Sequence, residues 1–308
     1  MNRLPYEFSE AVVLLNSRDF KRYGTSVKTL KNVPKSWRAA VKLCNTHLET
    51  PTLMFYIYEH GVYFCYKDHN NEVSKLTLDE LRDIKRKYLQ FLDFHVWFLV
   101  TEQEDVVEFE EAEEFFALLK QYTNNPHLHI HDYGYNRRQC RHVNIPRDAY
   151  DVERKKQIFS VMYGLQYSSI SMNHTDEVCD DFLTYAVENS RLSRLRLQGN
   201  FSLGLVPVLE ASLLTCQIRF ADVLACNYLR FSKEFFVAIF HKMMQFDKLN
   251  TDIDLSFQVA FKLETVASLR KDLQVHWIEN VIKWKLGNIG IALRPGQCVV
   301  QKLAMAAV

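Results

Sequence analysis

The sequence predicts an α/β fold, with a small helical module over residues 1–48 and a large α/β region over 49–308. Three observations carry this. Residues 1–48 show helical spacing and no strand-like run. From residue 52 onward, short runs rich in aromatic and β-branched residues alternate with stretches of helical periodicity. In the last third, the strand-like runs recur at intervals of roughly 22 to 36 residues.

Residues 4–15 read as an amphipathic helix, with Phe8, Val12 and Leu15 on one face and Glu7 and Glu10 elsewhere. Residues 18–32 are polar and basic. Pro34 and Ser36 precede a second helix from about Trp37 to His47, and Pro51 closes the segment. Two aromatic runs in 52–68 flank Glu59-His60-Gly61, which predicts a hairpin. Thr77 and Glu80 form a capping box for a helix expected to reach about Leu92. Next come a strand at 95–100, an acid-led helix at 109–122 and a strand at 128–131. Residues 137–160 read as charged and irregular.

A strand is expected at 165–171, then a helix at 175–190 with Val178, Phe182 and Ala186 inward. Residues 192–200 and 216–220 read as strands, each leading to a helix, at 202–214 and at 232–246 with Ser232 as cap. A strand at 251–257, a helical or irregular stretch and a strand at 289–293 complete the chain. This order requires at least partly parallel strands.

The clearest internal pattern is Leu192-x-x-Leu195-x-Leu197-x-x-Asn200, the spacing of a leucine-rich repeat. Alternate leucines point into a solenoid core, and the Asn side chain bonds backbone in the following turn. Partial echoes lie at Cys216-x-Ile218 and Ile253-x-Leu255. One clean copy leaves two readings open, a repeat array and a chance match.

Composition narrows the function. Lys and Arg total 38 against 37 Asp and Glu, so the whole molecule has no net attraction for nucleic acid or anionic membrane. Glycine numbers only 9, about half of usual usage. No Gly-rich phosphate-binding motif occurs. The 7 cysteines are widely spaced, none forming C-x-x-C, which reads as free thiols in a reducing compartment. The N-terminus lacks the apolar stretch of a secretion signal, and no apolar run approaches membrane-spanning length. Cytoplasm or nucleus is the expected location.

Several clusters invite chemistry, each beside a plainer account. His127-x-His129-x-His131 shares one strand face, but a straight strand spreads the outer two by about 13 Å, so a polar strand edge is the simpler reading and no metal is expected. Glu108, Glu110, Glu111, Glu113 and Glu114, with Asp79 and Asp83, gather at helix starts, where they complement the helix dipole. Arg137, Arg138 and Arg141, with Arg154, Lys155 and Lys156 and the basic face Arg82, Lys85, Arg86 and Lys87, have the makings of a nucleic-acid grip or of a solvated surface. His174 and Cys179 share a segment, yet no hydrolase signature surrounds any cysteine. Phe235, Phe236, Ile239, Phe240, Met243 and Met244 form a helical stripe that reads as core, with a partner groove as the lesser reading. With no catalytic constellation, no cofactor motif and no metal set, a protein-binding role is expected rather than an enzyme.

The opening of the chain resembles an F-box. Leu4-Pro5 starts the pattern, an apolar-faced helix follows with Phe8, Val12, Leu14 and Leu15, and Leu30, Val33 and Trp37 come later. LPYEFSEAV followed by LKNVPKSWRAAVKLCNTH is similar to the start of a large nematode family of F-box and F-box-like proteins. Members continue into a divergent α/β region of leucine-rich-like or F-box-associated character. The middle, NSRDFKRYGTSVKTL, departs from the pattern by being more polar and basic. The resemblance implies a substrate-recognition adaptor of a Skp-cullin-F-box-type ubiquitin ligase. Leu4, Pro5, Phe8, Val12, Leu15 and Trp37 would then dock on a Skp-family adaptor protein, and the C-terminal region would present a face to an unknown protein target. It equally admits a stand-alone F-box-derived scaffold or regulatory protein that no longer enters a ligase.

Overall fold

The computed structural model describes residues 37–40, 42–43, 49–58, 61–68, 70–83, 89, 91–98, 108–131, 152–215, 217–246, 252–278, 281–286 and 289–302. The chain is α/β, and it separates into two compact units, Met1–Pro126 and His127–Val308. The expected helix at 4–15 lies outside the described residues, as do residues 44–48 beside the expected boundary at 48/49. The division at 126/127 falls within the stretch 49–308.

In the first unit, β1 (Thr52–Tyr58) and β2 (Gly61–Lys67) form the expected antiparallel hairpin, with Tyr58 opposite Gly61. A short strand, β3 (Val73–Lys75), extends it at the β2 edge. The capping box is made as the sequence predicts: the Thr77 hydroxyl accepts from the Glu80 amide at 3.1 Å, and the Glu80 carboxylate accepts from the Thr77 amide at 2.8 Å. The helix it opens, α1 (Leu78–Asp83), does not reach Leu92, because β4 (Phe91–Phe98) pairs parallel to β1 from Asp93 onward. The cause is visible in FLDFHVWF, where Phe94, Val96 and Phe98 are buried and Asp93, His95 and Trp97 half-buried, a period of two that overrides the helical spacing before it.

Helix α2 (Phe109–Leu119) covers one face of this sheet. Phe115 stacks on Phe64 at 3.7 Å and Phe116 on Phe55 at 5.0 Å, while Phe94 meets Phe55 edge-on at 5.4 Å. Glu108, Glu111 and Glu113 at the start of α2 are exposed as expected, and Glu114 pairs with Arg82 of α1 at 2.5 Å.

The second unit repeats one construction. Strand β5 (Thr123–His131) enters this unit at His127, and α3 (Val152–Met162) leads to β6 (Ser169–Asn173). Then α4 (Glu177–Asn189) leads to β7 (Arg194–Gly199), and α5 (Val206–Leu214) to β8 (Phe220–Cys226). The two-residue β9 (Arg230–Phe231) and α6 (Lys233–Phe246) lead to β10 (Asp254–Val259). Strands β5, β6, β7, β8 and β10 lie side by side in chain order and all pair parallel. Helices α3 to α6 pack in the same succession. Ser169 lies opposite Arg194, and Arg194 opposite Phe220, steps of 25 and 26 residues, and the step from Phe220 to Asp254 is 34.

The register explains the burial. Leu128, Ile170, Leu195, Ala221 and Leu255 form one column across the strands, and Ile130, Met172 and Leu197 lie in the next; all are buried. Each Leu, Ile or Met among them contributes about 1.5–3 kcal/mol when fully removed from water. Val178, Phe182 and Ala186 of α4 are buried as predicted, and Phe182 stacks on Phe159 of α3 at 4.7 Å. Ser232 caps α6, its hydroxyl accepting from the Phe235 amide at 3.1 Å.

A four-strand antiparallel meander closes the unit: β11 (Gln274–Ile278), β12 (Val281–Leu286), β13 (Ile289–Arg294) and β14 (Gln297–Lys302), with β14 paired to β10. The stretch read as helical or irregular after residue 257 therefore holds β11 and β12. In β12, Ile282, Trp284 and Leu286 are buried while Lys283 and Lys285 are exposed, the alternation of a half-buried strand. The strand read at 216–220 begins only at Phe220. Residues 152–160, read as irregular, belong to α3, whose buried Lys155, Ile158, Phe159 and Met162 recur at helical spacing beneath the surface charge.

Candidate functional site

In the second unit, one face of the sheet lies under helices and the other carries the polar half of each strand's alternation. On that open face the register lines up Ser169, Arg194, Phe220, Asp254, Gln301, Gly290 and Lys285 as one row across β6 to β12. The next row holds His129, Ser171, Arg196, Asp222, Ser256, Val299, Ala292 and Lys283. Arg196, Asp222, Asp254, Lys283, Lys285 and Arg294 are exposed.

Two contacts order this face locally. Arg196 Nε lies 3.6 Å from Asp222 Oδ2, and the Arg194 guanidinium stands 4.2 Å over the Phe220 ring. At the rim, the Asn200 Oδ1 accepts from the Asn227 side-chain amide at 2.5 Å, one repeat step away. The expected bond from Asn200 to backbone is thus replaced by a side-chain rung between successive strand–helix units. Gly199 turns the chain there with φ +108°, and a β-carbon at that position would meet the His174 Cβ at 3.0 Å.

The histidines His127, His129 and His131 stand in file on β5, with ring centroids 6.5 and 6.3 Å apart. That spacing follows the strand and does not converge on a point, and no group of three or more metal-binding side chains occurs among the described residues. Burial, with His129 as the second cause, holds the His131 imidazole down at about 4 from its ordinary 6.5.

The His174–Cys179 segment has its own geometry. His174 Nε2 lies 3.6 Å from Asp180 Oδ1 and has no hydrogen-bond partner, and the ring packs edge-on against Phe201 at 4.9 Å. Cys179 is buried, its Sγ 3.2 Å from the Thr175 hydroxyl, and burial raises its thiol above the usual range. A thiol held protonated is a poor nucleophile, so a cysteine-hydrolase reading gains nothing here. Cys65, Cys179, Cys226 and Cys298 are all free and buried.

The basic candidates divide. Arg137, Arg138 and Arg141 lie outside the described residues, as do Lys85, Arg86 and Lys87. Lys155 is not on a basic surface: it is buried and ion-paired with Asp176, the residue that caps α4 by accepting from the Val178 amide. Arg82 is held between Asp79 and Glu114. The stripe Phe235, Phe236, Ile239, Phe240 and Met243 is buried core, with Phe240 against Trp284 at 5.4 Å.

Of the residues expected to meet an adaptor, Leu4, Pro5, Phe8, Val12 and Leu15 lie outside the described residues, and Trp37 is half-buried where residues 37–40 are helical. The open-face charges were not singled out from the sequence. Arg194 and Arg196 were legible as the outward alternates of Leu195 and Leu197, whereas Lys283 and Lys285 needed β12 to be recognised. Among the described residues, no helix is long and apolar enough to cross a membrane. No family model matches the chain, and neither a curated protein nor a solved structure does.

Proposed function

We propose that this protein is a target-binding adaptor, the substrate-recognition subunit of a Skp-cullin-F-box-type ubiquitin ligase. The observation that carries the binding half of this reading is the second unit's construction. Strand–helix units stacked in chain order, with helices on one face of the sheet and the other left open, support reading it as a leucine-rich-repeat-like solenoid. Such an array would offer a broad, solvent-facing sheet to a target. The ligase half rests on the F-box-like opening, in which Leu4, Pro5, Phe8, Val12, Leu15 and Trp37 would meet a Skp-family adaptor protein.

Co-expression with a Skp-family adaptor followed by size exclusion tests the ligase half. A one-to-one complex, lost on Phe8→Asp with Val12→Asp, is the expected result. Elution of the chain alone, under conditions where an authentic F-box protein binds, removes it. The polar, basic segment 18–32 favours a second reading in that event, a stand-alone scaffold or regulatory protein of the same descent.

A further inference from the structure

We infer that the open sheet face of the second unit takes an extended protein segment with two acidic clusters separated by about six or seven residues. This rests on the reading of the chain as a target-binding protein and names the chemistry of the target.

The whole chain is almost balanced, with a formal net charge of +1. The open face is not. Along this face, with the row Arg294, Gln297, Gln258 and Arg230 added to the two above, stand six cations, Arg194, Arg196, Arg230, Lys283, Lys285 and Arg294, against two carboxylates, Asp222 and Asp254. On the helix-covered side of the unit, α4 carries four acids, Glu177, Asp180, Asp181 and Glu188, and no Lys or Arg. Like charges gathered on one exposed face repel one another, and an anionic partner relieves that repulsion while gaining steered association.

The cations form two banks. Arg194 and Arg196 lie on β7, with Arg230 beside them on β9, and Lys283, Lys285 and Arg294 lie on β12 and β13. Three strands, β8, β10 and β14, lie between β7 and β13. Counting four to five strand steps of about 4.8 Å puts the banks roughly 19–24 Å apart along the sheet, which an extended chain spans in about six or seven residues. Between the banks the face holds Phe220, Ser256 and Val299, half-buried, with Asp222 and Asp254 exposed. This centre favours a polypeptide over a nucleic acid. A phosphodiester strand carries a charge at every residue and would set phosphates against both carboxylates, whereas a peptide can leave its middle neutral or basic.

The test uses the full-length protein and a labelled peptide of two triglutamate blocks joined by a Gly/Ser spacer of about seven residues, read by fluorescence anisotropy. Its lysine counterpart and an oligouridylate of equal length serve as competing probes. The expected result is binding by the glutamate peptide that weakens with salt and falls at least tenfold in K283E/K285E/R294E. K283Q/K285Q/R294Q, a gentler change at exposed positions, gives a smaller loss in the same direction. Equal binding by the lysine peptide, an unchanged affinity in both variants, tighter binding by the oligouridylate, or no binding of the glutamate peptide up to millimolar concentration overturns the inference. The Skp-family co-elution reads only the N-terminal residues, so the two tests fail independently.

Discussion

The two units solve the same problem with different side chains. Each builds a sheet, covers one face with helices and leaves the alternating residues of every strand on the other. In the first unit that other face is aromatic: Tyr56 stacks on Trp97 at 5.0 Å, Trp97 on His95 at 5.3 Å, and Tyr56 lies 6.3 Å from Tyr63, all half-buried. Burial pushes the Tyr56 hydroxyl up to about 12, so it remains a neutral phenol across the physiological range. In the second unit most equivalent positions hold Arg, Asp, Lys, Ser or Gln, with Phe220, Gly290, Ala292 and Val299 among them. Alternation therefore fixes the sheet in both units, and only the identity of the outward residue separates a packed aromatic surface from a solvated charged one.

The largest predicted effects break the buried side of each unit. Removing the Lys155 ammonium leaves the Asp176 carboxylate at the start of α4 without its cation, and Lys155→Ala is expected to cost about 3–5 kcal/mol, since a largely buried charge that loses its counter-charge is expensive. Phe116→Ala in the first unit is expected to cost a similar 3–5 kcal/mol through lost stacking on Phe55 and a cavity. Denaturant unfolding followed by hydrogen exchange separates the two. Protection lost in 152–200 for Lys155→Ala and in 52–119 for Phe116→Ala confirms that the units are stabilised separately, and loss throughout the chain from either change refutes it.

A smaller effect sharpens the comparison at the rim of the second unit. Gly199 combines a left-handed φ with a close approach to His174, so Gly199→Ala is expected to cost about 1–3 kcal/mol. Wild-type thermal stability in that variant would show that the rim yields easily and is no rigid support for the open face.

How much of this was legible depended on whether the deciding contact was local. The hairpin at 52–68, the Thr77–Glu80 capping box, the Ser232 cap and the inward stripe of α4 are all set within a few residues, and they stand where the sequence puts them. Helix α3 was hidden because Arg154, Lys155 and Lys156 look solvated, while Lys155 is neutralised by Asp176, 21 residues away. Strand β4 was clipped because its parallel partner β1 lies some forty residues earlier in the chain. The Leu195 and Leu197 pattern marks one buried strand, but its neighbours place Ile170 and Met172, or Ala221, opposite these leucines. A motif defined by leucine misses positions that the physics defines only as apolar and of fitting size.

Acid should act on the second unit through His131. Its folded-state imidazole titrates at about 4, below the ordinary 6.5 it regains on unfolding. Between those values the unfolded chain binds the extra proton and the folded chain does not. Stability is therefore full above about 6.5 and declines as pH falls toward 4. His131→Asn is expected to flatten that part of a denaturation-midpoint profile, and a slope unchanged in the variant would assign the loss to other groups.

The smallest effect is the most informative about the open face. Arg196 and Asp222 are each more than half exposed, and a pair of that kind contributes about 0–1 kcal/mol. Arg196→Ala should leave the unfolding midpoint within error of the parent protein. The same is expected of Lys283→Ala, whose side chain stands exposed on β12. Buried columns tie residue identity to stability, so a core change that spares the fold is rare. On the charged face identity is freer of that constraint, and exposed cations such as Lys283, Lys285 and Arg294 gather there without structural need. A midpoint drop above about 1 kcal/mol for Arg196→Ala would make the pair structural, and the charge pattern of this face would then be a feature of folding and not of recognition.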